Sequence, residues 1–464
     1  MADFHPSRRW RPNRSRGEHA LARVTRASRR ATHSPAHHPE TCVTGRPTPG
    51  ATAPARHAPT LLAPLLHALF FVAAATQSAI VPLLPRLSHT YGLSTSAGAL
   101  LLAAPGLATL AVSMPAGALA DRLGARRVTI AATALMAAAA TAQAAPSYVL
   151  LMAGRLAFGL AFGIVWTSGV AWMSGSHSES GSPRLGAVAT SAAVGMVAGP
   201  AIGGLLADQF GLSVPFLVVA ALAGALTIAL KWQPDATSRE ANHRRDTSLR
   251  ALARLAPNQP GVVTGAAVLA ISGAVSGVIQ LLVPLELHHA GFSAGTTGVA
   301  FSGAAGVYIV VSAFVVKLGR RATTLAAAAL AALALSLFLL PAALSTGAAL
   351  LVAVLVASTA PRAVVSTVAY PLATDSAARG GLADGLVIGL LNGTWAAGLV
   401  LAPLLAGAVD QAAGPGPAYL VAVVPGVLGA LWLLRRRPRR EDAPATAETS
   451  ESPTADHDLA PATA

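Results

Sequence analysis

The stretch Gly117-Ala-Leu-Ala-Asp-Arg-Leu-Gly-Ala-Arg-Arg127 sets one acid, three arginines and two glycines between uncharged runs. No Asp, Glu, Lys or Arg occurs from Leu87 to Ala120, nor from Val128 to Gly154. A third uncharged run, Leu61 to Pro85, lies just upstream. Such runs exceed the roughly 20 apolar residues that cross a bilayer as a helix. Over all 464 residues, 53% are hydrophobic and 11% charged, against about 25% charged in an average soluble domain. That composition excludes a water-soluble globular enzyme and makes length a measure of membrane crossings. Cys42 is the one cysteine, so an intrachain disulfide or a cysteine metal cluster is excluded.

Apolar runs and turn residues place twelve spans, near 61–85, 94–118, 128–145, 147–173, 185–207, 212–232, 260–284, 294–316, 322–341, 346–370, 381–404 and 417–434. The expected organisation is a bundle over 61–232, a polar linker over 233–259 and a second bundle over 260–434. Residues 1–58, rich in Arg, Pro, His and Ser, read as a disordered basic tail, for which a wrongly assigned start codon is an equal account. Residues 435–464 read as a second disordered tail. With a cytoplasmic N-terminus, the inner loops hold 14 Lys/Arg and the outer loops hold Arg86 alone. This asymmetry satisfies the positive-inside rule and puts both termini in the cytoplasm. The net charge of +14 is then a topology signal, and nucleic acid is not an expected partner. Two lysines in the whole chain and abundant alanine point to a GC-rich bacterial gene, hence to a bacterial inner membrane.

The halves repeat each other. Val81-Pro82-Leu83 closes span 1 as Val283-Pro284-Leu285 closes span 7. Gly92-Leu93-Ser94 and Gly291-Phe292-Ser293 open the next spans, and Pro200 through Asp208-Gln209 parallels Pro403 through Asp410-Gln411. A parallel repeat of this kind belongs to two bundles that rock about a central site.

The loop formed by Gly117, Asp121, Arg122, Gly124, Arg126 and Arg127 resembles the span-2/3 loop of the major facilitator superfamily, G-x-x-x-D-R-x-G-R-R, with Ala125 departing from it. The resemblance implies an all-α membrane protein of twelve helices in two six-helix halves, and a conformational latch in which Asp121 meets the start of span 11. Gly186, Gly195, Gly199, Pro200, Gly203 and Gly204 match the family's antiporter motif, G-x8-G-x3-G-P-x2-G-G, which implies proton-driven drug export. Independently of the family, glycines four apart form a stripe that lets another helix approach closely. Small-residue packing also accounts for such a ladder, as in Gly381, Gly385, Gly389 and Gly393 of span 11. Leu151 to Gly159 resembles the span-4 motif l-x3-R-x2-q-G, with Phe158 in place of Gln, which implies proton coupling through Arg155.

Arg155 also stands out unaided, since an arginine inside a span costs about 2.5–3.5 kcal/mol on insertion scales. Arg362 is expected to snorkel to the cytoplasmic face. No acid lies deep in any expected span, which leaves Glu286 and His67 beside Arg155 as proton-coupling candidates. Mid-depth Gln77, Trp166, Gln280, Tyr308, Asn392 and Trp395 are the substrate-cavity candidates, while Trp172, Trp232 and Trp432 at span ends read as interfacial anchors. The function expected is export of small, largely apolar or cationic compounds by proton antiport. The alternatives are a carrier for a specific metabolite, such as a sugar or organic acid, and a non-transporting membrane sensor. No nucleotide-cradling, metallohydrolase or clustered-carboxylate motif is present. We therefore expect no enzyme, cofactor or metal; the partners expected are a small-molecule substrate, protons and lipid, and the chain a monomer.

Overall fold

The computed structural model describes residues 61–175, 182–233, 253–319, 323–345, 347–382 and 384–436. The expected tails and most of the 233–259 linker lie outside the described residues, as do the surroundings of Asp121, Gly186, Asp384 and Gly385. In chain order the helices are α1 (Leu62–Tyr91), α2 (Thr95–Leu123), α3 (Ala125–Ala144) and α4 (Tyr148–Ile164, running through a π turn at Val165–Gly169 into Val170–Gly175). Next come α5 (Ser182–Phe210), α6 (Val214–Lys231), α7 (Pro260–His289) and α8 (Ala294–Leu318). The chain closes with α9 (Leu325–Leu337 and Leu340–Leu344), α10 (Ala348–Ala357 and Thr359–Arg379), α11 (Asp384–Ala413) and α12 (Pro415–Arg435).

Eleven of these are long and apolar enough to cross a membrane. The twelfth, α3, is lowered by Arg126, Arg127, Gln143 and three threonines. Helices are what lipid demands, because every backbone donor must be satisfied within its own segment. The fold is the expected one, twelve helices in two six-helix halves. In each half the first helix is the central one. Of the most apolar stretch of α1 and of α7, 72% is buried, against 17% for α8, whose outer face is left to lipid.

The repeats seen in sequence build the same turn twice. Gly92 ends α1 in the left-handed region at φ 61°, and Gly291 stands after α7 at φ 87°. A side chain disfavours that geometry, which is why glycine recurs there. Leu93 N–H then bonds Ser88 O, and Phe292 N–H bonds Leu287 O, both at helix C-termini. One residue later Ser94 and Ser293 cap α2 and α8, accepting from Ala97 N–H and Thr296 N–H at 3.2 Å each.

The largest contacts between the halves are made by two helix pairs, α5 with α8 and α2 with α11. The antiporter glycines seat α5 on α1 of its own half and bring it against α8 at Gly204. A Cβ at Gly195 would strike Phe71 O, at Gly199 Ala75 O and Ser78 Oγ, and at Gly203 would lie 2.8 Å from Ala79 Cβ. One face of α5 is thus seated on α1 at Phe71, Ala75 and Ala79, one contact per turn. Gly204 abuts Ala294 O, and Gly298 on α8 abuts Pro200 O, so the same helix is pressed between its own bundle and the other. The span-11 ladder differs: Gly389 and Gly393 face open space, and the close contacts of α11 fall to Gly398 on α7 and Gly407 on α2.

The seam is finished at its charge-poor end by two carboxylates, each on the last turn of a seam helix and aimed at the start of the partner. Asp208 Oδ2 accepts from Gly295 N–H of α8 at 2.7 Å, while its Oδ1 faces Arg86 Nη1 at 3.3 Å. Asp410 Oδ2 accepts from the Thr95 hydroxyl of α2 at 2.6 Å. A helix N-terminus carries partial positive charge, so both contacts are favourable and both vanish if the halves separate there.

Gly199→Leu should insert but lose transport, since overpacking of about 1–3 kcal/mol falls on backbone atoms that cannot give way; Gly224→Leu, at a glycine facing open space, should be active. Equal activity of the two variants in a transport assay would remove the stripe from the mechanism. Asp208→Asn with Asp410→Asn, in a Cys42→Ser background, should raise thiol labelling of a cysteine at Leu93 several-fold, and unchanged labelling would show that the carboxylates do not hold this end shut.

Candidate functional site

The Gly117–Arg127 loop is shorter in the structure than its composition implies. It is a single-residue break, Gly124 at φ 90°, between α2 and α3. Arg126 Nη2 donates to Lys231 O at 2.6 Å, at the C-terminal end of α6, where a cation meets the negative end of the helix. Gly117 approaches Thr167 of the π turn, and Arg122 and Arg127 are exposed. The described part of the loop therefore fastens α3 to α6 within one half.

Arg155 sits seven residues into α4 and is 1% exposed, so it does not snorkel. Its Nε donates to Leu101 O of α2 at 3.3 Å, and its guanidinium lies 5.7 Å from the Phe158 ring centroid. Nη1 and Nη2 are buried with no hydrogen-bond partner among the described residues. Phe158, the departure from the family pattern, thus supplies a ring face where an amide would have supplied an acceptor. The approach of α2 that buries Arg155 depends on Gly159, where a Cβ would strike the Pro105 backbone.

Beyond Arg155, α4 widens into the π turn, a feature that often accompanies functional sites. Trp166 within it packs 5.0 Å from Phe70 and 6.1 Å from Phe162, ring to ring. Trp172 is fully buried, which corrects its reading as an interfacial anchor: it stands three residues before the helix ends at Gly175, but its side chain packs among the helices of the bundle. Trp232 and Trp432, 83% and 46% exposed, do lie at helix ends.

The three proton-coupling candidates are not brought together. His67 on α1 shares a hydrogen bond with Ser191 on α5, Nδ1 to Oγ at 3.0 Å. Glu286 is at the far end of α7, 3.7 Å from His289 Nδ1. It lines a cavity of about 490 Å³ with His89, His288, Thr95 and Asp410. Among the described residues no three His, Cys, Asp or Glu are disposed to hold a metal ion.

Of the cavity candidates, Gln77 and Gln280 are half-buried on the central helices α1 and α7, and Trp395 is half-buried on α11 with its carbonyl against Gly273. Tyr308 and Asn392 each gain a partner on α10 that the sequence reading did not select. Arg362 lies 5.3 Å from the Tyr308 ring centroid and donates to Ser276 Oγ at 3.5 Å. Tyr370 donates to Asn392 Oδ1 at 2.6 Å. The expected snorkelling of Arg362 is corrected by the length of α10. The helix runs on to Arg379, beyond the expected end at 370, and so Arg362 stands near its middle. Arg362, Ser366 and Tyr370 recur at intervals of one turn and form one stripe. Aromatic faces, an amide and a guanidinium suit recognition of an amphiphilic small molecule by stacking and hydrogen bonding.

Comparison with known proteins follows the same line. The Major Facilitator Superfamily profile matches residues 66–384. The chain is 33% identical over 126 residues to the MFS-type transporter ppzB of Metarhizium rileyi (strain RCEF 4871), covering 27% of this chain and 26% of that one. It is 32% identical over 166 residues to the multi-drug resistance efflux pump PmrA homolog of Lactococcus lactis subsp. lactis (strain IL1403), covering 34% of this chain and 40% of that one. The chain thus spans well under two thirds of either relative's length. Among solved structures, an inward-facing, unoccupied bacterial homolog of the human lysosomal transporter Spinster aligns with a TM-score of 0.66 at 15% identity, over 80% of this chain and 94% of that one. The nucleoside transporter NupG aligns at 0.65 and 14%, over 80% and 98%. A D-xylose-proton symporter aligns at 0.61 and 16%, over 82% and 97%. At such identities these likenesses speak for the fold alone. With twelve helices in two like halves and a profile match over more than two thirds of its 464 residues, the chain belongs to the Major Facilitator Superfamily.

Proposed function

We propose that this superfamily transporter, which is not an enzyme, exports small, largely apolar compounds by alternating access, driven by protons moving inward. The observation that carries the reading is the α5 stripe. Gly195, Gly199 and Gly203 are seated on α1 of the same half, while Gly204 and Pro200 meet α8, so the antiporter motif ties the seam with the other half to the packing of its own. The efflux pump named among the relatives supports the same direction of transport. Aromatic Trp166, Tyr308 and Trp395 supply the stacking surface such cargo needs.

In this reading the arginine-rich end faces the cytoplasm of a bacterial cell with both termini there, and the chain works as a monomer in contact with lipid. The seam carboxylates then mark the outer end. Protons are the coupling ion, with Arg155, Glu286 and His67 as the candidates for coupling their movement to the conformational change. Arg155 is the strongest of the three, because a buried guanidinium with two unpartnered nitrogens invites an acceptor in the other conformational state.

The test is transport in inverted membrane vesicles, offered one acidic, one uncharged and one cationic amphiphilic dye. Accumulation of any of them that collapses with a protonophore establishes proton-driven export. No gradient-dependent movement of any dye contradicts it and moves the assignment to a carrier for a specific metabolite. Under the same gradient, Arg155→Ala should abolish accumulation, and Arg155→Lys should restore part of it if charge matters and little if the fork geometry does. Full activity of Arg155→Ala would remove Arg155 from the coupling.

A further inference from the structure

Charge in the depth of this protein has one sign. Arg155 on α4 and Arg362 on α10 are both inside the helical bundles, each on the fourth helix of its half and each against the second: Arg155 bonds α2, and Arg362 lies over a ring of α8. The acids among the described residues are at helix ends. Asp208, Glu286 and Asp410 stand in the last turns of α5, α7 and α11, and Asp375 is exposed near the end of α10. No described carboxylate lies within ion-pair distance of either arginine. A guanidinium offers five donors in a planar fork. Arg362 spends one of them on a long bond to Ser276.

The stripe that carries Arg362 faces α7 at Ser276, α8 at Tyr308 and, at Tyr370, α11. Tyr308 is on the inward side of α8, in line with buried Ala304 and Val315, while Val307, Val310 and Phe314 are exposed on the lipid side. Tyr370 donates to Asn392, which is exposed beside Gly389 and Gly393, both facing open space. Leu401, the exposed apolar residue that marks the lipid face of α11, is half a turn round the helix from Asn392. The Tyr370 hydrogen bond engages the amide oxygen, and so Asn392 presents its nitrogen, a further donor, to that space.

We propose that the Arg362–Tyr308 pair is an anion-recognition subsite: the cargo is an amphiphile with a carboxylate or a comparable oxyanion, received by Arg362, with Tyr308 as the ring against which its apolar part lies and Asn392, beside Tyr370 two turns along the stripe, as a donor to a further polar group of the cargo. Planar carboxylates match the guanidinium fork bidentately, which a lysine would not reproduce. Lipophilic cations are disfavoured, because they would meet two positive charges at mid-helix, Arg155 buried and Arg362 half-buried, and no fixed negative one among the described residues. This replaces the expectation of cationic cargo and rests on the export reading only for the direction of transport.

The experiment measures binding of dansyl-leucine and of its methyl ester, which differ in the negative charge, to the purified full-length protein by dansyl fluorescence. The acid should bind at least about tenfold more tightly than the ester, the scale of one buried charge-assisted hydrogen bond. Arg362→Gln should erase that preference and Arg362→Lys keep part of it, with monodispersity of each variant checked by gel filtration. Equal binding of acid and ester, no binding of the acid, or an unchanged preference in Arg362→Gln would each overturn the subsite. Should Arg362→Gln fail to fold, the comparison of acid with ester on the unmodified protein still decides. A charge-selective protein that moves no dye in vesicles would refute export and leave the subsite standing; a protein that exports dyes yet binds ester as well as acid would do the reverse.

Discussion

Backbone approach without side chains is the constraint on which the rest of this molecule depends. In lipid, apolar surface gains little by leaving its surroundings, so helices associate through close van der Waals contact. The glycines of α5 give that contact on two sides at once, to α1 at Phe71, Ala75 and Ala79, and to α8 at Ala294. A single helix therefore belongs to the packing of its own half and to the seam. Any movement of one half against the other has to slide or part along α5 and α8, and along α2 and α11.

The seam is built so that parting is possible. Apart from Ala201 N–H donating to Ser302 Oγ at 3.0 Å, its mid-depth contacts among the described residues are small and apolar, and its carboxylate contacts gather at one end, where Asp208 meets the start of α8 and Asp410 the start of α2. Asp208 and Arg86 are 27% and 36% exposed, so their ion pair is of the weak, screened kind, worth about 1 kcal/mol or less. Contacts of that size close an end without locking it. Deep acids, which would neutralise Arg155 and Arg362 permanently, are missing from the described spans. Positive charge is thereby left inside for something mobile to answer.

Much of this was legible in the sequence. Uncharged runs placed the helices, and the loop arginines ordered them. The twin Gly-x-Ser turns and the twin Asp-Gln pairs announced two like halves, although only the tertiary structure shows that each Asp meets the turn of the other half. The misreadings have local causes. Tyr370-Pro371 followed by Thr374, Asp375 and Ser376 looks like a helix end by hydropathy, yet α10 continues through it; Arg362 is moved to mid-helix, and Tyr370 becomes a partner of Asn392. Trp172 is near a helix end, as the fading apolar run suggests, but its ring is packed in the core of the bundle and not held out at the interface. The glycine ladders of spans 5 and 11 were alike on paper. Neighbours alone separate them, since Gly199 touches backbone and Gly393 touches nothing.

The movement proposed is an opening and closing of the halves about this seam. It is tested most directly by pulsed electron-spin distances between labels at Thr90 and His289, one on each half beside the carboxylate end, in a Cys42→Ser protein reconstituted in nanodiscs. The account predicts a short distance as the main population, with a second, longer one that grows when cargo and a lowered pH are applied. A single distance, unchanged across those conditions in a protein that still transports, would contradict it.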